Sequence, residues 1–287
     1  DLPTCLSVGP VQKNSDLINF FKKIKKNKII LKANFGGGGR GSRIVHKNED
    51  VSEVLSLVKQ EAKSFSGSNL VFAEEVIEDA RHIEVQILGD GQSCIHLFER
   101  DCSFQRNFQK FIEFAPAPNL KFQTKEKLYK YAVTLCKSVG YKGLGTVEFL
   151  VDKNEKIYFM EVNPRVQVEH TITEELTGID LVRSQINVFC GLSIQDQNLT
   201  EVNIIGNRAS IQARLNMESY DNKIQLVPTT GTIKEYDIAS GPGIRVDGAG
   251  KVGFKNSGLY DSLLAKVIAT SDFGLSEAVR KLKFTLR

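Results

Sequence analysis

The segment FMEVNPRVQVEH, residues 159–170, alternates polar side chains with valines around a single proline. Successive side chains of an extended chain point to opposite faces, so the polar ones would share one face at intervals of about 7 Å. They are Glu161, Asn163, Arg165, Gln167 and Glu169. Pro164 has no N–H to donate, so a strand must end or leave its sheet there. The segment therefore predicts a polar sheet edge or cleft mouth.

Two strand-like runs, GTVEFLVD (145–152) and KIYFMEVN (156–163), precede that edge as a hairpin. With residues 153–156 as the connection, Glu148 falls opposite Glu161, and like charges at that position repel by about 3 kcal/mol. A bound divalent cation would offset the repulsion, and Asn163 would supply a further oxygen for Mg²⁺. A nearby Lys or Arg, or a pairing register shifted by one residue, would remove the need for a metal. Both readings stay open.

The glycine-rich stretch NFGGGGRGSR, residues 34–43, contains the spacing GxGxxG at Gly36, Gly38 and Gly41. No helical pattern follows it, as a dinucleotide fingerprint requires, and GK[ST] is missing, so it is not a P-loop. We expect a flap between two strands whose bare N–H groups approach phosphates, with Lys32 directed at the same oxygens. The alternative is a flexible hairpin tip without a ligand.

Composition excludes several classes of protein. The chain has 287 residues and a net charge of +4, and its 5 cysteines are scattered without CxxC spacing, which argues against a zinc site and favours a reducing compartment. No apolar run reaches membrane-span length. The basic run at residues 22–28 fits the exposed face of a helix better than a patch for nucleic acid or membrane. An opening without Met and an ending inside a helical pattern indicate a piece of a longer protein.

Hydrophobic patterning predicts an α+β chain with a boundary near residue 200, after which short strands and Gly/Pro turns prevail. The predicted helices are residues 16–26, 51–64, 125–141 and 178–189. The predicted strands are residues 28–33, 43–46, 70–74, 81–90, 93–101, 145–152 and 156–163. Asp90-Gly91 is a strong signal for a hairpin turn between two of these strands.

Seven motifs in order give the chain a specific resemblance. They are KANFGGGGRG, EDARHIEVQILGD, ERDCSFQRNFQK, EFAPAP, GTVEFL, EVNPRVQVEHTITEELTGIDLV and YDSLLAKVIA. Together they resemble the biotin carboxylase component of biotin-dependent carboxylases, an ATP-grasp enzyme. The segments IQARLNMES and SGPGIRVD favour a multidomain acyl-CoA carboxylase (acetyl- or propionyl-CoA), acting in fatty acid biosynthesis, with pyruvate carboxylase as the alternative.

The resemblance implies ATP-dependent carboxylation of biotin by bicarbonate, through carboxyphosphate, and it assigns a role to particular residues. For ATP these are Lys32, Gly38 and Gly39 at the phosphates, Glu74, Glu75, Val76 and Ile77 at the adenine, and His82 and Gln105 along the nucleotide. For Mg²⁺ or Mn²⁺ they are Glu148, Glu161 and Asn163, and for bicarbonate Arg165, Gln167 and Val168, with Lys110 beside them. Glu169 would be the base that takes the bicarbonate proton, and Arg214 would stabilise the biotin enolate.

The same resemblance implies a domain organisation and partners. We expect an ATP-grasp lid with the glycine flap at residues 1–75, a core with the metal and bicarbonate sites at 76–200, and a truncated β-rich C-terminal domain at 201–287. A domain that precedes the lid in the family is expected to be absent. The expected partners are a biotinylated carrier domain, a carboxyltransferase domain and a second copy docked around Arg245, in the cytosol or the mitochondrial matrix, with neither nucleic acid nor membrane.

Some residues depart from the family pattern or have competing interpretations. Phe108 replaces the His of many relatives near the ribose, and Glu75 replaces a frequent Lys. Cys102 has no neighbour that would activate a thiol, so we assign it to packing. His170 is either structural or catalytic. Two other functions remain open: an ATP-grasp ligase that makes an acyl-phosphate for an amine, which has no need of Arg214, and an inactive nucleotide-binding fragment.

Overall fold

The computed structural model describes residues 2–34, 41–47, 51–106, 108–204, 206–221, 226–259 and 261–286, apart from the side chains of residues 65 and 66. The helices in these ranges are α1 Asn14–Ile24, α2 Val51–Ser66, α3 Phe122–Ser138, α4 His170–Thr177, α5 Leu181–Phe189 and α6 Leu275–Thr285. The strands are β1 Ser7–Val8, β2 Lys28–Ala33, β3 Ser42–His46, β4 Val71–Glu75, β5 Arg81–Asp90, β6 Cys94–Arg106, β7 Gln109–Ala115, β8 Lys142–Val151, β9 Ile157–Asn163, β10 Ala209–Asn216, β11 Glu218–Tyr220, β12 Leu226–Pro228, β13 Gly231–Thr232, β14 Ile244–Gly248, β15 Lys255–Asn256 and β16 Leu263–Ser271. None of these helices is long and apolar enough to cross a membrane.

The chain divides into two compact units. The first comprises residues 1–81, 105–109 and 150–160. It is built on an antiparallel sheet in the order β1-β4-β2-β3. Helix α1 places Leu17, Phe20, Phe21 and Ile24 three or four residues apart, so they form one apolar face. That face and α2 bury a core with the inward-facing side chains of the sheet, such as Ile29 and Leu31.

The second unit comprises residues 82–104, 110–149 and 161–287. Its main sheet has the strand order β14-β16-β10-β7-β6-β5-β8-β9. Helix α6 covers one part of the sheet through Ala278 and Leu282, and α4 packs against β10 and β16 through Ile172 and Leu176. Helix α5 completes a third core around Leu181. The antiparallel sheets confirm the α+β class.

Local turn chemistry forms the two hairpins that the sequence predicts. At the β5–β6 turn, Gly91 has φ +95°, and the Asp90 carboxylate accepts the N–H groups of Gln92 and Ser93. At the β8–β9 turn, Asp152 Oδ1 accepts the N–H groups of Asn154 and Lys156. Acceptors of this kind replace backbone partners where a ladder ends.

Four points of the sequence prediction need correction. Helix α4 and strand β7 were not predicted, and the expected helix over 178–189 begins only at Leu181, after a cap at Asp180. The polar row at 161–169 is not one extended segment, because β9 ends at Asn163. Beyond Pro164 the chain turns, with the Arg165 N–H bonded to the Asn163 carbonyl at 2.9 Å, and then enters α4.

Gly89 in β5 provides a test of the packing of this sheet. A Cβ built at Gly89 would clash with the backbone carbonyl of Tyr141, which has no flexible side chain to move away. We expect Gly89→Ala to lower the free energy of unfolding by about 2–3 kcal/mol, measured by urea denaturation. Gln92→Ala, at an exposed position of the adjoining turn, should change it by less than about 0.5 kcal/mol. Equal stability of the two variants would contradict this packing.

Candidate functional site

Two carboxylates and an amide of β8 and β9 lie together. The Asn163 side-chain amide donates to Glu148 Oε1 at 3.0 Å and to Glu161 Oε1 at 3.1 Å. Glu148 is buried and Glu161 is exposed, so the group lies at the boundary between the sheet interior and solvent. The structure thus brings together the three residues that the sequence predicts as metal ligands.

The donor set fits a hard divalent cation. Carboxylate and amide oxygens are the ligands that Mg²⁺ accepts. Among the described residues, no Lys, Arg or His nitrogen lies within 4.0 Å of the Glu161 carboxylate, whereas Lys110 lies 2.9 Å from Glu148. A basic side chain therefore balances the buried carboxylate but not the exposed one. The exposed charge is available to a cation.

Lys110, on β7, lies at the centre of this acidic group. Its Nζ lies 2.5 Å from Glu84, 2.9 Å from Glu148 and 2.6 Å from Glu169. Burial lowers the pKa of Lys110, but the surrounding carboxylates outweigh it and raise that pKa well above its usual range. Lys110 is thus a permanent positive charge that joins the metal-ligand candidate to the candidate base.

Glu148 also contacts His82, whose Nε2 lies 2.8 Å from Oε2. Burial raises the pKa of Glu148, but the hydrogen bond from His82 and the charge of Lys110 outweigh that effect and lower the pKa to about 2. The carboxylate therefore stays ionised at neutral pH, as a metal ligand must. His82, expected along the nucleotide, is in direct contact with the metal-ligand candidate.

Behind Lys110 lies a fully buried arginine, Arg100 of β6. Its guanidinium donates to five side chains: Glu84 at 2.5 Å, Gln86 at 2.6 Å, Thr173 at 2.9 Å, Thr146 at 3.1 Å and Gln167 at 3.5 Å. It uses all three guanidinium nitrogens and links β5, β6, β8 and α4. Arg100 thereby fixes Gln167 directly and fixes Glu84, which contacts Lys110.

The predicted bicarbonate residues follow Pro164. Arg165 is exposed, with Nη1 bonded to the Val166 carbonyl at 3.1 Å and Nη2 to Asn163 Oδ1 at 3.5 Å. No carboxylate of the described residues pairs with it, so its guanidinium is open to an anion. Gln167 is buried and donates to Glu148 at 2.9 Å. The Val168 carbonyl accepts from Lys266 at 2.8 Å.

Glu169 and Arg214 form the other end of the site. Arg214 Nη2 donates to Glu169 Oε2 at 3.0 Å, while Lys110 holds Glu169 Oε1. Both oxygens of the candidate base are therefore held by cations. The neighbouring His170 is half-buried, and its Nδ1 lies 2.7 Å from the Gln167 carbonyl. Burial lowers the pKa of His170.

The first unit carries the other predicted nucleotide residues. Lys32 Nζ lies 2.5 Å from Glu74. Lys26 Nζ contacts the Glu75 carboxylate and the Val76 carbonyl, both at 2.9 Å, so a lysine from another position faces the glutamate that replaces the usual Lys. Ile77 follows β4, and Gln105 is the second-to-last residue of β6. Gly38 and Gly39 lie outside the described residues.

Sequence reasoning missed three charged residues of the site: Glu84, Arg100 and Glu113. All three are fully buried. A signal was present for one of them, because Glu84 and Gln86 alternate inside the apolar strand RHIEVQILGD. Cys102 is also fully buried, and burial raises its pKa well above the usual range, which agrees with a packing role.

The buried guanidinium gives a sharp stability test. Arg100→Met removes the partner of Glu84 and leaves several buried acceptors without a donor, so we expect a loss of about 3–5 kcal/mol of unfolding free energy. Adding Glu84→Gln should recover part of that loss, because it removes the uncompensated charge. Arg183→Met, on the exposed face of α5, is the control and should cost less than about 0.5 kcal/mol in the same urea titration. No difference between Arg100→Met and the control would disprove this role.

Comparison with family models matches nearly the whole chain. The family described as carbamoyl-phosphate synthase L chain, ATP binding domain, matches residues 3–197. The family described as biotin carboxylase C-terminal domain matches residues 212–287. The two matches follow one another, and together they cover both compact units.

Known proteins give the same result. Rat mitochondrial pyruvate carboxylase is 49% identical over 243 residues, which are 84% of this chain and 20% of that protein, so the chain spans about a fifth of this relative. A biotin carboxylase from Campylobacter jejuni, solved as a βγ-ATP complex, superposes with a TM-score of 0.91 at 34% identity, over 99% of this chain and 62% of that one. The biotin carboxylase domain dimer of Hydrogenobacter thermophilus 2-oxoglutarate carboxylase, solved with MgADP, ADP and bicarbonate, superposes with a TM-score of 0.89 at 36% identity, over 99% and 62%. The chain therefore belongs to the biotin carboxylase family, with an ATP-binding region of the ATP-grasp type and a biotin carboxylase C-terminal domain.

Proposed function

We propose that this chain carboxylates biotin with bicarbonate at the expense of ATP, as the first half-reaction of a biotin-dependent carboxylase. One observation carries the proposal: the Glu148–Glu161–Asn163 group adjoins Gln167 and, through Lys110, the Glu169–Arg214 pair. The residues proposed for the cation, the anion and the base are thus joined by one hydrogen-bonded network. An ATP-grasp ligase for an amine would not need an arginine beside the base.

In the first step, bicarbonate would lie against Arg165 and Gln167. Arg165 offers a bidentate donor edge suited to a small planar oxyanion. Glu169 would remove the bicarbonate proton, and the freed oxygen would attack the γ-phosphorus of ATP, giving carboxyphosphate with ADP as the leaving group. Lys110 would stabilise charge on the phosphoryl oxygens. Magnesium held by Glu148, Glu161 and Asn163 would neutralise charge on the ATP phosphates.

In the second step, the carboxyl group passes to biotin. The biotin ring nitrogen would give its proton to a phosphate oxygen of carboxyphosphate, which leaves as inorganic phosphate, and negative charge develops on the ring carbonyl oxygen, which takes enolate character. Arg214 suits that oxygen because a guanidinium stays charged at any physiological pH. The nitrogen then bonds to the carboxyl carbon, and the bond from that carbon to the phosphate oxygen breaks.

We also propose a set of residues that bind the nucleotide. Lys32, with Gly38 and Gly39, would hold the phosphates, and Glu74, Glu75, Val76 and Ile77 would face the adenine, with His82 and Gln105 further along. Carboxyphosphate decomposes in water, so the site would have to exclude solvent until the carboxyl group is transferred. The ranges 1–75, 76–200 and 201–287 remain our proposal for the lid, the core and the C-terminal domain.

The parent enzyme is proposed to be of the pyruvate carboxylase type. The 49% identity to rat pyruvate carboxylase supports that alternative better than the acyl-CoA carboxylase that two C-terminal segments favoured. The proposed partners are a biotinylated carrier domain and a carboxyltransferase domain. A second copy is a further proposed partner, since the Hydrogenobacter relative is described as a dimer.

Glu161 tests the metal site. Glu161→Gln removes a carboxylate that has no basic partner, so the fold is retained while a ligand charge is lost. We expect the Mg²⁺ concentration for half-maximal bicarbonate-dependent ATP cleavage to rise about tenfold or more. Isothermal titration with Mg²⁺ and ATP should show the same weakening.

Glu277→Gln is the matched control for that titration. Glu277 is a carboxylate on α6 that pairs with Arg280 at 2.7 Å, away from the proposed ligands. The Mg²⁺ dependence of ATP cleavage by Glu277→Gln should equal that of the wild type. An unchanged Mg²⁺ dependence in Glu161→Gln would remove the metal assignment.

Arg165 tests the anion site. A lysine keeps the charge but loses the bidentate edge, so we expect Arg165→Lys to raise the KM for bicarbonate about tenfold and to leave the KM for ATP within about twofold. Arg183→Lys, on α5, should leave both unchanged. If ATP cleavage depends neither on bicarbonate nor on added free biotin, the proposed function is wrong.

A further inference from the structure

Arg214 has a second acidic partner besides Glu169. The Glu113 Oε1 atom of β7 accepts from Arg214 Nε at 2.7 Å and lies 2.6 Å from Arg214 Nη2. The same Nη2 reaches Glu169 Oε2 at 3.0 Å. Glu113 therefore holds one whole edge of the guanidinium, whereas Glu169 holds only one corner.

Glu113 is itself held from the other side. Its Oε2 accepts from Gln212 Nε2 at 3.0 Å, and Gln212 Oε1 accepts from Thr171 Oγ1 at 2.5 Å. Glu113, Gln212 and Thr171 are all fully buried. Glu113 and Gln212 are also directly paired across β7 and β10. Each oxygen of the Glu113 carboxylate thus accepts a hydrogen bond from a side chain that is itself held in place.

These contacts close a ring. It runs from Glu169 through Arg214, Glu113 and Gln212 to Thr171, which lies two residues after Glu169 at the start of α4. The ring ties the guanidinium to two strands and to one helix terminus. Long side chains lose much rotamer freedom when they are fixed in this way. Because folding has already restricted the Arg214 side chain, its guanidinium is oriented before the substrate binds.

The ring leaves one nitrogen of Arg214 for a substrate. Within the residues that the structure describes, Nη1 makes no hydrogen bond, and the side chain retains 17% of its exposure. We propose that Glu113 is the positioning residue for Arg214: it fixes the Nε–Nη2 edge so that Nη1 meets the developing biotin oxyanion. This inference rests on the proposed function and adds to it a residue that touches no substrate.

The test compares two activities of the intact protein. Glu113→Gln keeps the size of the side chain but replaces one of the two carboxylate oxygens that accept from Arg214 and Gln212 with an amide NH₂. We expect the stimulation of ATP cleavage by free biotin to fall about tenfold, mainly in kcat, while bicarbonate-dependent cleavage without biotin changes by less than about threefold. A loss of folded protein would lower both activities alike, so their ratio reports positioning.

Glu99→Gln is the matched control. Glu99 is another fully buried carboxylate of the same sheet, with Lys125 at 2.7 Å and the hydroxyl of Tyr129 as partners, and it does not contact Arg214. The ratio of the two activities should match the wild type in this variant. Thr171→Val is a milder second variant that opens the ring at its far end, and it should lower the ratio in the same direction by a smaller factor.

The outcomes separate the two proposals. If the wild type cleaves ATP with bicarbonate and folded Glu113→Gln keeps the wild-type ratio of the two activities, the positioning role is wrong and the proposed function stands. If Glu113→Gln does not fold, an unchanged ratio in Thr171→Val overturns the positioning role. If the wild type shows no bicarbonate-dependent cleavage, the proposed function fails and the inference falls with it.

Discussion

The site depends on one partly buried cation among acids. Lys110 lies within 2.9 Å of Glu84, Glu148 and Glu169, which come from β5, from β8 and from the residue before α4. Without that charge the three carboxylates could not stay ionised so close together in a region of low dielectric. With it, Glu148 keeps a lowered pKa of about 2 and stays ionised at neutral pH. Arg100 is a second positive charge, deeper in the protein, and its guanidinium donates hydrogen bonds to Glu84 and Gln86.

The arrangement of charges also explains why the pKa values of two acids in one cluster differ. Burial raises the pKa of Glu113 and Glu169 adds to it, while Arg214 opposes both, and the result is about 7. Burial also raises the pKa of Glu84, but there Lys110 and Arg100 outweigh it and bring the pKa to about 2. Two fully buried carboxyls thus differ because one has two cationic neighbours and the other has only one, shared with Glu169.

Local signals allowed much of the fold to be predicted. Strands β2 and β5 match their predicted bounds, and Asp90-Gly91 forms the expected turn, because alternation and turn chemistry act within a few residues. Helix α4 escaped prediction because Thr171, Ile172 and Thr173 are β-branched and favour helix weakly. It forms because Ile172 and Leu176 become buried against β10 and β16. The free energy gained by this burial depends on residues that are distant in the sequence.

The sequence by itself determined which side chains compose the proposed metal and anion sites, since Glu148, Glu161, Asn163 and Arg165 stand in short motifs around one hairpin. Only the tertiary structure decided how their charges are balanced. Lys110, Arg100 and Glu113 come from β6 and β7, and they reach the site because those strands lie side by side in the sheet, with β10 beyond them. No spacing along the chain reports which cation faces which acid, because electrostatic partners are chosen by distance in space.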